Sequence, residues 1–254
     1  MCDQEAVTPA EGDVASDQPV FECREESDFY YICLRHFIFK NKDTENIIEF
    51  GSGHGLPVLQ ALHSTLFKGS ITGFETSSSA ASLARKHIAL FGKEGLYQVH
   101  NACFFESFKG SAQDFCLIAN PPYSPALDSG RLLMPELWGG PDGADILCRL
   151  LERSFKYVLL LIPGISNPSR VIDHALRQGY RVQNYLTTPL PYGRYTSQKY
   201  VQTHLNTLRR QQQAFFYEKY YLLAGVLFCT ETPCMDGLEE SLLNLLASGT
   251  DVQL

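Results

Sequence analysis

The sequence contains no stretch near the ~18 consecutive apolar residues of a membrane helix, which argues against a spanning segment. Its N-terminus lacks a basic region followed by an apolar one, so no secretory signal is expected. None of its eight cysteines (Cys2, Cys23, Cys33, Cys103, Cys116, Cys148, Cys229, Cys234) forms a C-x-x-C pair or stands at zinc spacing with a histidine. No metal site is therefore expected. Cys103, Cys116 and Cys229 lie in apolar runs, where buried thiols are common. Scattered buried thiols suit a reducing, cytoplasmic setting.

The chain also lacks an even spread of charge. Its formal net charge is -7, and residues 1–28 hold nine acids and only one base, Arg24. The remaining residues hold 19 acids and 20 bases, which neither demands nor excludes a nucleic-acid partner. The acidic segment has few large apolar groups and reads as a disordered tail over 1–28. A single domain over 29–254 follows, with 44% hydrophobic residues in the whole chain to fill its core.

Within that body, apolar runs alternate between strand and helix patterns. A helix is expected over 29–39, a strand at 46–50, a helix at 56–67 with Leu56, Leu59, Leu62 and Leu66 on one face, and a strand at 70–75. A helix at 78–92, strands at 96–102 and 114–119, a helix at 143–155 and an apolar strand at 157–163 follow. A helix at 169–179, strands at 180–188 and 219–229, and a helix at 238–247 complete the reading. The alternation over 46–188 predicts an α/β fold with a mostly parallel sheet and helices on both faces. Residues 189–254 form a C-terminal extension.

The first strand ends in "EFGSGHG": Glu49, Gly51, Ser52, Gly53, His54, Gly55. Glycines let the turn stay tight and let a ligand approach the backbone. The spacing is not that of a dinucleotide fingerprint, G-x-G-x-x-G. Glu49 would be a poor neighbour for a pyrophosphate and suits a ligand with a positive end, such as the amino group of a methionine moiety. Glu75, at the end of the second strand, can accept hydrogen bonds from both hydroxyls of a ribose. S-adenosylmethionine fits this pair of sites better than NAD.

The fourth strand ends in "LIANPPY". Pro121 and Pro122 cannot continue a sheet ladder and restrict their neighbours to extended backbone. They stiffen a segment carrying one amide, Asn120, and one ring, Tyr123. In open α/β sheets the ligand crevice lies at the carboxyl ends of the strands, so this segment should share a crevice with Gly51 and Glu75. The Asn120 side-chain carbonyl and the Pro121 backbone carbonyl could each accept one N–H of an NH2 group. Tyr123 could lie flat against a planar amide or base.

"IIEFGSGHG", "GFE" and "IANPPY", in this order, resemble the class I S-adenosylmethionine-dependent methyltransferases of the N-P-P-Y subgroup, which methylate adenine N6 or glutamine amides. "GGPDG" (139–143) resembles a segment of the HemK-like glutamine methyltransferases. The resemblance covers 46–188. It implies a Rossmann-like, seven-stranded sheet with an antiparallel last strand, and S-adenosylmethionine as cofactor.

By the same resemblance, Glu49, Gly51, Ser52, Gly53, Gly55, Glu75, Thr76 and Asn120 hold the cofactor, with Ala102 or Cys103 near the adenine. That last stretch departs from the family's pattern, which often has an acid there. Asn120, Pro121 and Tyr123 would be catalytic, and Asn120, Pro121, Pro122 and Tyr123 would hold the acceptor. The expected acceptor is a macromolecule, a protein glutamine first and RNA or DNA adenine second. A partner subunit is compatible with this reading. A catalytically silent scaffold is the alternative of another class, and the intact N-P-P-Y argues against it. Residues 189–218 mix Arg194, Lys199, Arg209 and Arg210 with tyrosines. They read either as a solvated helix with an aromatic underside or as a grip on single-stranded nucleic acid.

Overall fold

The computed structural model describes residues 23–40, 44–110, 112–230 and 236–248. One seven-stranded sheet organises them, in the order β3-β2-β1-β4-β5-β7-β6. The strands are β1 (Asn46–Phe50), β2 (Ser70–Glu75), β3 (Tyr97–Asn101), β4 (Cys116–Ala119), β5 (Tyr157–Pro163), β6 (Arg181–Pro191) and β7 (Tyr220–Cys229). Six share one direction, and β7 runs antiparallel between β5 and β6. The expected mostly parallel sheet with an antiparallel last strand is therefore present.

Helices cover both faces because the central strands are apolar on both. Every residue of β4 is buried, as is every residue of β5 after Tyr157. One core holds α1 (Arg24–Cys33), α2 (Leu56–His63), α3 (Ser78–Leu90) and α7 (Lys199–Arg210). The other holds α4 (Phe104–Ser107), α5 (Asp145–Leu151), α6 (Pro168–Arg177) and α8 (Leu238–Ala247). Burial of these side chains, worth about 1.5–3 kcal/mol for each large one, is what holds the layers together.

Several elements differ from their expected bounds. Residues 1–22 of the expected tail lie outside the described residues, but its last five, Arg24–Asp28, are helical and open α1. Glu26 there is 2% exposed. The rest of the predicted first helix continues from α1 as a π-helical turn, Leu34–Ile38.

α2 stops at His63, where the hydroxyls of Ser64 and Thr65 both bond the Ala61 carbonyl and compete with the helix. Leu66, read as part of its apolar face, is exposed. β6 runs on to Pro191, paired with β7 along its length. Within 189–218, α7 buries Val201, Leu205 and Leu208, and Tyr192 and Tyr200 pack against the core. The underside of α7 is thus aliphatic, with Tyr200 beside it, where the sequence suggested an aromatic one. No described helix is long and apolar enough to cross a membrane.

Candidate functional site

The parallel register decides which loops meet. Phe50 of β1 lies opposite Phe74 of β2 and Ala119 of β4, and Glu75 lies opposite Asn101. The glycine loop, Glu75–Thr76, Asn101–Cys103 and Asn120 thus leave the sheet side by side at its carboxyl edge. These are the segments that sequence reasoning selected.

The glycine loop turns sharply. Gly51 and Gly53 have φ of +68° and +53°, and nothing lies within 4 Å of where a side chain would project from either. That surface is open to a ligand. The backbone is held from the other side: Gly51 N and Ser52 N donate to the Phe74 carbonyl. Glu75 accepts from Gly53 N through one carboxylate oxygen and from Ser77 N through the other, each at 2.8 Å. A carboxylate has about four acceptor positions, so two remain for hydroxyl groups. Ala102 N donates to the Glu75 carbonyl, and Asn101 Nδ2 donates to the carbonyls of Glu75 and Thr76. Cys103 caps α4 and is half-buried, not buried as its apolar run suggests.

Two predicted contacts sit differently. Gly55 turns inward, and its α-carbon faces Ala84 and Tyr97 at the start of α2. Glu49 is buried under the loop and accepts a hydrogen bond from the Tyr97 hydroxyl. Burial raises its pKa to about 7, against the lowering effects of Tyr97 and Ser52, and the nearby Glu75 charge adds to the rise. Ser52 stands close enough to favour the carboxylate, although its Oγ has no partner at hydrogen-bonding geometry. Glu49 is thus a support beneath the loop.

The Asn120 side is assembled from distant segments. Gly139 and Gly143 press on the Tyr123 backbone. A side chain on Gly139 would come within 2.5 Å of Tyr123 Cα, and one on Gly143 within 2.5 Å of its carbonyl oxygen. Ser124 and Gly139 exchange backbone hydrogen bonds with the facing segment, and Ser166 Oγ donates to the Tyr123 carbonyl at 2.9 Å. The "GGPDG" segment is a clamp on N-P-P-Y. Asp142 fixes the clamp by accepting from Asn167 Nδ2 and Arg170, each at 2.7 Å.

Tyr123 is not an open ring. It is buried, and its hydroxyl pairs with the Tyr221 hydroxyl at 3.2 Å. Asn120 Oδ1 is buried with no hydrogen-bond partner. A buried acceptor without a donor costs about 1–3 kcal/mol, so it marks a place where an N–H from outside the chain would be welcome.

Sequence reasoning missed Glu26. Burial raises its pKa, and the nearby Tyr123 and then Asn120 side chains oppose the rise. Only its place in an acidic stretch is visible in the sequence, and that suggested solvent. Two cavities, of about 260 Å³ and 510 Å³, flank Asp145 and Arg170 beyond the clamp, and neither is lined by the glycine loop.

The sheet order, the single antiparallel strand and the crevice position define the class I methyltransferase fold. A candidate RNA methyltransferase from Pyrococcus horikoshii superposes with a TM-score of 0.52 at 12% identity, over 81% of this chain and 84% of that one. A candidate tRNA methyltransferase from Streptococcus pneumoniae gives 0.52 at 10% identity, over 89% and 79%. No family model and no curated protein matches the sequence.

Proposed function

We propose that the chain is an S-adenosylmethionine-dependent N-methyltransferase acting on a planar amino nitrogen, with a protein glutamine amide as the favoured acceptor. The observation that carries this reading is Asn120 Oδ1, a buried and unpartnered acceptor beside an open glycine turn. The residues present fit the cofactor. Gly51 and Gly53 leave backbone open to it, Glu75 keeps acceptor capacity for ribose hydroxyls, and Thr76, Ala102 and Cys103 border the adenine position.

When bound, S-adenosylmethionine supplies an electrophilic methyl group. The acceptor nitrogen is a weak nucleophile because its lone pair is delocalised into the adjoining π system. Asn120 Oδ1 and the Pro121 carbonyl each take one of its N–H groups. They hold the nitrogen in place and turn its lone pair away from the plane, and their dipoles face the positive charge that develops there. Pro121 and Pro122 keep those carbonyls from moving, and the clamp at Gly139 and Gly143 fixes Tyr123 behind them.

The burial of Tyr123 favours an amide over adenine. A base would gain most from an open aromatic face, whereas this ring is covered and its hydroxyl is engaged. The acceptor would be macromolecular, and the reducing setting read from the cysteines suits a cytoplasmic protein. Incubation with labelled cofactor and, in turn, protein extract, total RNA and DNA tests the reading. Label that enters protein and survives nuclease is the expected result. Label lost to nuclease would transfer the activity to adenine. Absence of both label and cofactor binding would leave a silent scaffold.

A further inference from the structure

The turn that would receive the cofactor carries Gly51, Gly53 and Gly55, each at positive φ. Glycine loses more freedom on ordering than any other residue, so a turn this rich in it needs outside support to keep one form. Two histidines that the reading above does not use supply that support. We propose that His54 and His87 are positioning residues that hold the glycine turn in its cofactor-receiving form. This rests on the methyltransferase reading above.

The first support is a cap. α2 begins directly after the turn, and its N-cap residue, Gly55, has no side chain to accept from the free N–H groups of the first helical turn. His54 accepts instead: Leu56 N–H donates to His54 Nδ1 at 3.2 Å. The next residue, Pro57, has no N–H to place, and Leu59 N–H reaches the Gly55 carbonyl.

The second support comes from α3. Ala84 faces Gly55, and its small side chain lets the two segments approach: a side chain on Gly55 would lie 3.4 Å from Ala84 Cβ. His87 stands one turn further along the same side of α3. Its Nδ1 lies 2.8 Å from the His54 carbonyl. A carbonyl only accepts, so His87 Nδ1 is the donor. The two rings stand edge to face, with centroids 6.4 Å apart. His54 is thus tied forward to α2 through its ring and across to α3 through its carbonyl. Glu75 of β2 holds the preceding residue, Gly53, at 2.8 Å. A ligand's affinity falls with the fraction of chains in the receiving form, so loosening these ties should weaken binding without touching the ligand.

S-adenosylhomocysteine, the cofactor without its reacting methyl group, tests this without knowledge of the acceptor. It would be titrated calorimetrically into the full chain and its variants. His54→Ala and His87→Ala should each weaken it by about tenfold, equivalent to ~1.4 kcal/mol. Asparagine carries its amide oxygen and nitrogen as far along the side chain as Nδ1. His54→Asn can therefore still accept and His87→Asn can still donate, and each should stay within about threefold of wild type. Phenylalanine keeps a ring and loses the donor, so His87→Phe should fall with His87→Ala. Hydrogen exchange at residues 51–56 of the free protein should be faster in His87→Phe and His87→Ala than in wild type, and near wild type in His87→Asn.

The comparison of His87→Asn with His87→Phe decides the matter if the alanine variants fail to fold. Wild-type affinity in His87→Phe would show that ring packing suffices, and would overturn the inference. Equal loss in His87→Asn and His87→Phe would also overturn it, by showing that the imidazole acts on the ligand itself. Weaker binding with unchanged exchange at residues 51–56 would do the same. Absence of S-adenosylhomocysteine binding to wild type would instead overturn the methyltransferase reading, and this inference with it.

Discussion

Gly51 and Gly53 on one side of the crevice, and Gly139 and Gly143 on the other, are glycines for opposite reasons. The first pair faces open space, so a side chain there would project toward whatever approaches the turn. The second pair is pressed against the Tyr123 backbone, where a side chain has no room. The glycine-loop side is local: a strand, its turn and the neighbouring strand ends supply nearly every contact. The Asn120 side gathers α1, the end of β4, residues 139–143, Ser166 and β7. A local site can be exposed and simple, whereas a site drawn from many segments is buried and interdependent. Changes on the first side should therefore alter ligand affinity, and changes on the second should alter turnover or stability.

The largest expected effect is at Asn120. Asn120→Ala removes the unpartnered acceptor and should lower turnover by about 10²-fold or more, as loss of one oriented polar group at a reacting centre does. Cofactor affinity should stay within about tenfold, ~1.4 kcal/mol. Single-turnover rates and calorimetric titration measure the two quantities. Undiminished turnover would remove Asn120 from the mechanism and erase the distinction between the sides.

The two kinds of glycine come next. Gly143 has φ of +82° and touches both Tyr123 and Ser166. Gly143→Ala combines backbone strain with overpacking, and should cost about 3 kcal/mol or more. For a domain of this size that lowers Tm by roughly 6–12 °C. Gly53→Ala should cost only ~1–2 kcal/mol from its left-handed backbone, and should weaken cofactor binding because its new methyl group enters open space. Thermal melts and cofactor titrations of the same two variants check the contrast. A reversed pattern would mean that the open and closed sides have been misassigned.

The supports beneath each side also differ in what pH does to them. Folded Glu49 holds its proton up to about pH 7, whereas the unfolded side chain releases it near 4.5. The folded state therefore binds more protons across that window, and stability falls as pH rises from 4.5 through 7. The full contribution is about 1–3 kcal/mol, shared with the Tyr97 hydroxyl that bonds to it. Glu26, on the other side, is also raised by burial and acts with the same sign. Glu49→Gln should flatten part of the decline in Tm between pH 5 and 7 and leave the part due to Glu26. An unchanged slope would mean that Glu49 is ionised in the folded protein below this range.

The sequence made the glycine-loop side legible because its signals are neighbours in the chain. The turn spacing, Glu75 at the end of β2 and the strand alternation all lie within one α/β repeat. β5 and α8 likewise have the bounds that their apolar runs suggest. Asn120 was legible because two prolines mark it. Glu26 was not, because its burial depends on a segment that reaches it only through the fold, and local composition places an acid among acids in water. Tyr123 looked open for the same reason: it is buried, and its hydroxyl partner, Tyr221, lies 98 residues further along the chain. Leu66 shows the reverse error, since helical spacing suggested burial where the helix had already ended.

The smallest expected effect is at Arg170, and it separates the clamp's fit from its charge. Arg170 bonds Asp142 at 2.7 Å and Asp145 at 2.8 Å, but its side chain is 42% exposed. Exposed ion pairs contribute about 0–1 kcal/mol, because water competes for both partners. Asp142 keeps a second hydrogen bond, from Asn167 Nδ2 at 2.7 Å, when the arginine is gone. Arg170→Ala should therefore lower Tm by less than roughly 4 °C and leave turnover nearly unchanged. The pressure of Gly139 and Gly143 on Tyr123 depends on backbone contact and needs no charge. A loss in Arg170→Ala as large as that in Gly143→Ala would show that the ion pairs hold the clamp closed. The Asn120 side would then depend on surface charge, and its activity would fall with added salt while the glycine-loop side kept its affinity.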